Sequence, residues 1–196
     1  MMSFAPQGFV FLSTTKSGST AIQREFRRYA SIEVRRPPKM KHMTVRAFNA
    51  AWVPALEFHG YPRESYELVA IVREPVDWTL SWWRYRSRRE LLGHPNYTGD
   101  LRFEEFAERI LARELRLGNP GRFVTEVDGT VAVDRVYKYE SLTQAVAWMA
   151  SKLDVAPPTL PHTNRSPQRD AVIPSSLRSR LEEFFALEKR VHEDGL

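Results

Sequence analysis

The sequence predicts an α/β fold, a three-layer sandwich with a mainly parallel central sheet. Short apolar runs of strand character, the clearest at residues 66–72, alternate along the chain with segments in which apolar residues recur three and four positions apart. Such alternation is typical of a parallel sheet covered by helices. With 42% hydrophobic and 27% charged residues, the 196-residue chain has the composition of a globular protein and the length of one core, so we expect a single domain over residues 1–196.

The first elements are predicted from apolar runs and their boundaries. Residues 8–13 form a buried strand, and residues 19–30 follow as a helix with one apolar face. Residues 31–36 form a second strand, which ends at two consecutive prolines. Residues 44–58 form a helix that is broken near Pro54, because proline lacks the N–H that a helix interior requires.

The middle of the chain contains the best strand, residues 66–72, with the sequence YELVAIV. A helix follows over residues 74–89, with Pro75 in the first turn, where its missing N–H leaves no hydrogen bond unmade. Residues 91–101 contain two glycines and a proline and are predicted to form a surface loop. Residues 103–115 are predicted to form a helix.

The last third begins with a predicted hairpin, in which the turn Asp128-Gly129 joins residues 123–127 to residues 130–133. Ser141 is expected to cap the helix that it begins. The remaining elements are a strand, that capped helix, an irregular Pro-rich stretch and a closing amphipathic helix, over residues 136–139, 141–153, 157–174 and 177–192.

A polar turn between the first strand and the first helix is the first chemical signal. Residues 13–20, STTKSGST, place backbone N–H groups and a helix N-terminus around one point, which favours an anion. Lys16 adds a point charge, and Gly18 lets the backbone approach closely. The hydroxyls that can donate to the same anion belong to Ser17, Ser19 and Thr20. The lysine precedes the glycine, so the turn is not a Walker A motif. A polar turn with a helix cap is the alternative interpretation.

The second chemical signal is Arg73, at the end of the best strand, with Ser81 eight positions later. At the rise of an α-helix, Ser81 lies about 9 Å beyond the helix start, a gap that an extended arginine side chain can largely cover. Guanidinium and hydroxyl can therefore grip one phosphate together. Both signals lie at carboxyl ends of strands, where open parallel sheets bind their ligands. The alternative for Arg73 is a strand-to-helix corner with a salt bridge.

Together these segments resemble the sulfotransferases that use 3′-phosphoadenosine 5′-phosphosulfate as donor, in the branch that includes carbohydrate sulfotransferases and their bacterial relatives. Residues 16–20 resemble the family's 5′-phosphosulfate loop, and Arg73 with Ser81 resembles its 3′-phosphate pair. Two further stretches, VDRVYKYESL at residues 133–142 and PHTN at residues 161–164, are similar to the family's later strand and late loop. The resemblance covers most of the chain and implies a P-loop-type α/β sandwich.

The resemblance also implies a nucleotide sulfate donor, an acceptor hydroxyl or amine, and 3′,5′-adenosine bisphosphate as the product. Lys16 would stabilise the bridging oxygen of the leaving phosphate, and Arg73 and Ser81 would hold the 3′-phosphate. Catalysis is assigned to Lys16, His42 and Ser81. Donor binding is assigned to Thr15, Lys16, Ser17, Gly18, Ser19, Thr20, Arg73, Ser81 and Arg165. No metal is expected, because the transferred group carries a single negative charge.

The general base of this family is often His or Glu, which deprotonates the acceptor. His42 is our first choice, because it lies between the two cofactor motifs, where the family often carries a Lys-His segment. His59 is second and Glu57 is third. The alternative for His42 is a surface histidine at a helix start.

Two other functions compete with sulfuryl transfer. A P-loop-type nucleotide kinase or phosphotransferase needs a Walker A lysine and an Mg²⁺ site, and neither is evident in the sequence. A non-catalytic binder of nucleic acid or another anionic polymer fits the net charge of +5, the pI near 9.6 and the 23 arginines against 6 lysines. The 24 acidic residues are interspersed with the basic ones, so we expect no nucleic-acid partner.

The absence of cysteine excludes disulfides and thiolate metal sites and favours a reducing compartment. We therefore expect a cytoplasmic protein, and no membrane span, because no apolar stretch approaches the roughly 20 residues that a span requires. The chain is short for the family it resembles. The acceptor is then small, the acceptor site is open, or a second subunit of a homodimer completes it; sugar, lipid, peptide and phenol acceptors all fit.

Overall fold

The computed structural model describes residues 1–161 and 166–196 and has a mixed α/β architecture. The strands are β1 (Met2–Phe4), β2 (Phe9–Leu12), β3 (Ile32–Glu33), β4 (Glu67–Val72) and β5 (Arg135–Lys138). They form one sheet in the order β3-β1-β2-β4-β5, in which β4 pairs in parallel with both β2 and β5. The predicted α/β class and the parallel centre of the sheet are confirmed. The three-layer sandwich stays a prediction.

The strand β1 is an element that the sequence does not predict. It has three residues, which is too short for a hydrophobic period to show. It pairs antiparallel with β2, to which a 3-10 turn over Ala5–Gln7 connects it, and antiparallel with β3 on its other side. The sheet therefore combines an antiparallel edge with a parallel centre.

The helices of the described residues are α1 (Ser19–Phe26), α2 (Pro38–Lys41), α3 (Val45–Ala51), α4 (Val53–Phe58), α5 (Pro75–Arg86), α6 (Phe103–Leu111), α7 (Leu142–Lys152), α8 (Ser175–Phe184) and α9 (Ala186–Glu193). None of these helices is long and apolar enough to cross a membrane. The predicted break near Pro54 is confirmed, because α3 and α4 are separate and Pro54 takes a first-turn position of α4.

Three predictions for the last third of the chain need correction. The hairpin around Asp128-Gly129 has no regular strands: its flanks meet at one isolated bridge, Thr125 to Val131, and through the N–H groups of Glu126 and Ala132, which donate to the carbonyl oxygens of Thr130 and Val124. The closing helix is interrupted at Phe185, a fully buried residue with non-helical backbone angles. Ser141 stands at the N-cap of α7, but its side chain makes no capping hydrogen bond, because a 3-10 turn over Tyr139–Ser141 leads into the helix.

The chain divides into two compact units. The first comprises Met1–Arg73, Pro120–Thr163 and Val191–Leu196 and contains the whole sheet. The second comprises Glu74–Asn119 and Asn164–Arg190 and contains α5, α6 and α8. The single domain over residues 1–196 stays a prediction.

The core of the first unit lies against one face of the sheet. Alternate residues of the strands, such as Phe11 in β2 and Ile71 in β4, pack with the apolar sides of α1 and α7. Residues that alternate with them, including Val10 and Leu68, are also fully buried. Burial of alternate residues on both faces is typical of strands in a parallel sheet, and it explains why β2 and β4 are continuous apolar runs in the sequence.

The core of the second unit is aromatic and is formed by α5, α6 and α8. Trp78 of α5 is buried and meets the ring of Phe185 edge-on, with 5.7 Å between the ring centroids. Trp83 meets Phe103 of α6 in the same manner, also at 5.7 Å. These rings account for the helical spacing of aromatic residues in α5.

Glu74 caps the helix α5 at its N-terminus. Its carboxylate accepts hydrogen bonds from the N–H groups of Val76 at 3.0 Å and Asp77 at 2.8 Å. These are two of the N–H groups that a helix leaves without internal partners, and a negative charge there also meets the positive end of the helix dipole. The longer side chain of Glu thus takes the capping role that Asp more often has.

We expect Glu74→Ala to lower the free energy of unfolding by about 1 kcal/mol, the usual cost of removing an N-cap acceptor. Urea denaturation of both proteins at neutral pH measures the difference. Glu183→Ala, which removes an exposed carboxylate of α8, is the matched control and changes the value by less than about 0.5 kcal/mol. Equal losses in the two variants would show that Glu74 has no capping role.

Candidate anion-binding site

The carboxyl ends of β2, β4 and β5 lie side by side at one edge of the parallel sheet. Leu12 is aligned with Ala70, and Val72 is aligned with Lys138. The residues that follow these strands are Ser13, Arg73 and Tyr139. The register therefore brings the polar turn after β2 and the arginine after β4 to the same edge, as the sequence predicts.

The turn between β2 and α1 has a backbone shape that suits an anion. Lys16 has φ 61°, which is uncommon for a residue with a Cβ, and Gly18 has φ 76°. Residues in left-handed conformations within such a turn direct successive N–H groups into one concavity. Gly18 is also the N-cap of α1, and glycine has no side chain to cap the first N–H groups of that helix. The turn thus leaves a positive helix end facing the loop.

Hydrogen bonds inside the turn hold this shape. The hydroxyl of Thr14 lies against the carbonyl oxygen of Ile71 in β4 and 2.7 Å from the Ser17 hydroxyl. The hydroxyls of Ser17 and Ser19 donate to the Thr14 carbonyl oxygen, at 3.0 Å and 3.2 Å, and both side chains are buried. Ser17 and Ser19 therefore stabilise the loop itself, and their predicted contact with a ligand stays a prediction.

Arg73 points along the same edge and is half-buried. Its guanidinium carbon lies 4.5 Å from the centroid of the Tyr139 ring, a cation–π geometry. Its Nε is buried, and within residues 1–161 and 166–196 no hydrogen-bond acceptor reaches it. A buried donor that is left without an acceptor is costly to a fold, so it marks a place where an anion would supply the missing partner.

His42 follows α2 and is fixed to the turn by a hydrogen bond. Its Nδ1 lies 2.7 Å from the carbonyl oxygen of Ser13. A carbonyl oxygen only accepts, so Nδ1 carries the hydrogen, and in the neutral ring Nε2 holds the free lone pair. Burial lowers the pKa of His42, and the Lys41 ammonium lowers it too, whereas the bond to Ser13 acts in the opposite direction. The ring is thus a neutral base at neutral pH, with Nε2 as its basic atom.

Lys41 is a residue at this edge that the sequence analysis does not assign. Its Nζ donates to the Thr20 hydroxyl, in the first turn of α1, at 3.2 Å. Burial lowers the pKa of Lys41, with a further contribution from Arg35. The position beside His42 is the only sequence signal that pointed to Lys41, because nothing in its own spacing relates it to Thr20.

The other predicted site residues lie in different parts of the structure. Thr15 is half-buried in the turn, and Ser81 is half-buried on α5 in the second unit. Glu57 and His59 are exposed at the C-terminal end of α4, where His59 contacts the ring of Phe58. Arg165 lies outside the described residues, together with most of the late loop. The structure thus brings together the turn, His42 and Arg73, all within the first unit.

Comparison with known proteins gives one similarity. No protein-family model and no curated protein matches the chain. Among solved structures, the chain is similar to a sulfotransferase from Alicyclobacillus acidocaldarius, with 17% identity over 97% of this chain and 79% of that chain and a TM-score of 0.37. So low an identity and TM-score carry no argument about activity.

We expect the pKa of the His42 imidazole to lie below 6.5, its ordinary value, when the ring is titrated by NMR. Nitrogen chemical shifts of the neutral form should identify Nδ1 as the protonated nitrogen. Lys41→Met removes a neighbouring positive charge and should raise the pKa of His42. Lys39→Met, in the same short helix, is the control and should leave it unchanged. A pKa above 6.5 in the wild type would contradict the environment described for His42.

Proposed function

We propose that the protein transfers a sulfuryl group from 3′-phosphoadenosine 5′-phosphosulfate to a hydroxyl or amine of an acceptor. The observation that supports the proposal is that two separate places for an anion, and a neutral histidine, lie at one edge of the sheet. One place is the left-handed turn around Lys16 and Gly18, and the other is the buried, unsatisfied Nε of Arg73 in the described part of the chain. The histidine is His42, bonded to Ser13.

The two anion sites fit a donor that carries phosphate groups at both the 5′ and the 3′ positions of one nucleoside. The turn, with its N–H groups, the N-terminus of α1 and the hydroxyl of Thr20, would hold the 5′-phosphosulfate. Arg73 would hold the 3′-phosphate through Nε and the adjacent nitrogen of its planar fork. We propose Ser81 and Arg165 as further contacts on the same donor, on the strength of the resemblance in sequence.

When bound, the donor supplies a sulfuryl group whose S–O bond to the 5′-phosphate breaks, the electron pair staying on the phosphate oxygen, as a new bond forms to the acceptor oxygen or nitrogen. Lys16 belongs to the turn itself, and the bond of Lys41 to Thr20 brings a second ammonium group to the start of α1. We assign Lys16 to the oxygen on which negative charge develops. The positive charge of Lys16 beside that oxygen lowers the barrier, because it attracts the oxygen more strongly in the transition state, when negative charge has developed there, than in the ground state.

His42 is assigned as the general base. With Nδ1 donating to Ser13, Nε2 can accept the proton that leaves the acceptor. The lowered pKa keeps this atom unprotonated at neutral pH. The activity should then fall on the acid side as His42 becomes an imidazolium, and the midpoint of that fall should lie below pH 6.5 in the free enzyme. His59 and Glu57 stay the second and third candidates.

Binding of 3′,5′-adenosine bisphosphate tests the donor site without knowledge of the acceptor. We expect calorimetry to show binding in the absence of Mg²⁺, and Arg73→Ala to weaken it by about 10- to 100-fold, the loss expected for charged hydrogen bonds. Arg28→Ala is the matched control, because Arg28 is also an arginine stacked on a tyrosine, at 4.7 Å from the ring of Tyr29, and is exposed. Its affinity should equal that of the wild type.

Two results of this experiment would contradict the proposal. Binding of ATP with Mg²⁺, without binding of the bisphosphate, would favour a nucleotide phosphotransferase. Equal loss of affinity in Arg73→Ala and Arg28→Ala would show that only net charge matters and would favour a non-specific polyanion binder.

Sulfuryl transfer itself is tested with labelled donor and a panel of hydroxyl and amine acceptors. We expect Lys16→Ala to lower kcat by about 100- to 1,000-fold, the usual effect of removing a group that stabilises developing charge, with a much smaller effect on bisphosphate affinity. Lys152→Ala, whose ammonium pairs with Glu67 at the other end of β4, should retain full turnover. Unchanged turnover in Lys16→Ala would remove Lys16 from the mechanism.

A further inference from the structure

We infer that Tyr139 is a positioning residue, whose ring face holds the Arg73 guanidinium in place for the 3′-phosphate of the donor; the inference rests on the proposed function. Tyr139 is not among the residues assigned to catalysis or donor binding above.

The parallel register of β4 and β5 places the two side chains together. Val72 is aligned with Lys138, so Arg73 and Tyr139, the next residues, leave the sheet side by side. The guanidinium carbon lies 4.5 Å from the ring centroid of Tyr139. A planar cation over a ring face is attracted by the negative charge density of that face, and the attraction grows as water is excluded.

The Tyr139 ring restrains the orientation of the Arg73 guanidinium, a restraint that no hydrogen bond to Arg73 Nε supplies among the described residues. Arg73 Nε is buried and, in the part of the chain that the structure describes, has no acceptor. An arginine has several rotatable bonds, and holding it in one rotamer costs conformational entropy at the moment of binding. A ring that already orients the guanidinium reduces that cost, while the nitrogens at its edge stay available for phosphate oxygens.

The neighbouring carboxylate makes its close ion pair elsewhere. Glu140 pairs with His192, whose Nε2 lies 2.9 Å from the Glu140 carboxylate. Among the ion pairs of residues 1–161 and 166–196, Glu140 is paired with His192 and not with Arg73. Burial raises the pKa of Glu140, but its bond to His192 and the charges of His192 and Arg73 lower it overall, so Arg73 and Glu140 attract each other through space without forming an ion pair.

The same ring lies beside the turn that would hold the 5′ end of the donor. A Cβ built on Gly18 would lie 3.5 Å from Tyr139 Cε2 and 3.4 Å from a methyl carbon of Leu142. Tyr139 thus stands next to the turn on one side and carries Arg73 on its face. A rigid ring in this place would help to keep the two anion sites at a constant spacing, as two phosphate groups on a single nucleoside require.

The test compares the affinities for 3′,5′-adenosine bisphosphate and for adenosine 5′-phosphate, which lacks the 3′-phosphate. In the wild type the bisphosphate should bind more tightly. Tyr139→Leu, and Tyr139→Met as a second variant that fills more of the space, should lower the ratio of the two affinities about five- to tenfold. Tyr139→Phe, which keeps the ring, should retain the ratio. Tyr29→Leu removes the comparable pair with Arg28 and is the control.

Fluorinated phenylalanines at position 139 make the test independent of folding, because fluorine weakens the negative ring face with little change in shape. The ratio should fall stepwise from Phe to mono-, di- and trifluoro-Phe. A ratio that is constant across this series, or equal losses for both ligands in Tyr139→Leu, would overturn the positioning role while leaving the donor site intact. A wild-type ratio near one would instead contradict the proposed function, and this inference with it.

Discussion

The parallel pairing of β4 with β2 on one side and β5 on the other is the constraint on which the site depends. This pairing aligns Leu12 with Ala70 and Val72 with Lys138. It therefore brings the turn after β2, Arg73 and Tyr139 to one edge, although they are far apart in the sequence. Because side chains alternate between the faces of a sheet, a slip of one residue in either pairing would move the row that packs against α1 and α7 to the opposite face. The apolar core between the sheet, α1 and α7 thus fixes the register, and the register fixes the site.

The charges at this edge are linked to the protonation of His42. Burial and the Lys41 ammonium both lower the pKa of His42, so the ring is neutral at neutral pH. A bound anion would oppose the field of the neighbouring cations and would raise that pKa, which would make Nε2 a stronger base as the donor arrives. The buried, unsatisfied Nε of Arg73 among the described residues has the same character, since it is unfavourable without an anion and favourable with one. The edge is therefore arranged for an anion in two independent ways.

The parts of the structure that the sequence predicts well are those with a strong local pattern. The strands β2 and β4 are uninterrupted apolar runs because their residues are buried, and α5 begins where Pro75 allows it to begin. The turn around Lys16 was recognisable because a glycine, a lysine and several hydroxyls stand between such a strand and a helix. The short strand β1 and the interruption of the last helix at Phe185 depend on tertiary contacts, which leave no period in the sequence.

The sequence identifies several residues of the candidate site, but it does not predict the contacts between them. The sequence alone indicates Lys16, His42 and Arg73, whereas the bond of His42 to Ser13, the bond of Lys41 to Thr20 and the stacking of Arg73 on Tyr139 arise from pairing between distant segments. The turn and Arg73 are proposed to bind the two phosphate groups of one nucleotide, and a crystal structure with 3′,5′-adenosine bisphosphate shows whether they do. We expect the 5′-phosphate at the N–H groups of the turn around Lys16 and Gly18 and the 3′-phosphate on the Arg73 guanidinium. A nucleotide bound elsewhere, or bound at the turn with its 3′-phosphate away from Arg73, would show that they do not.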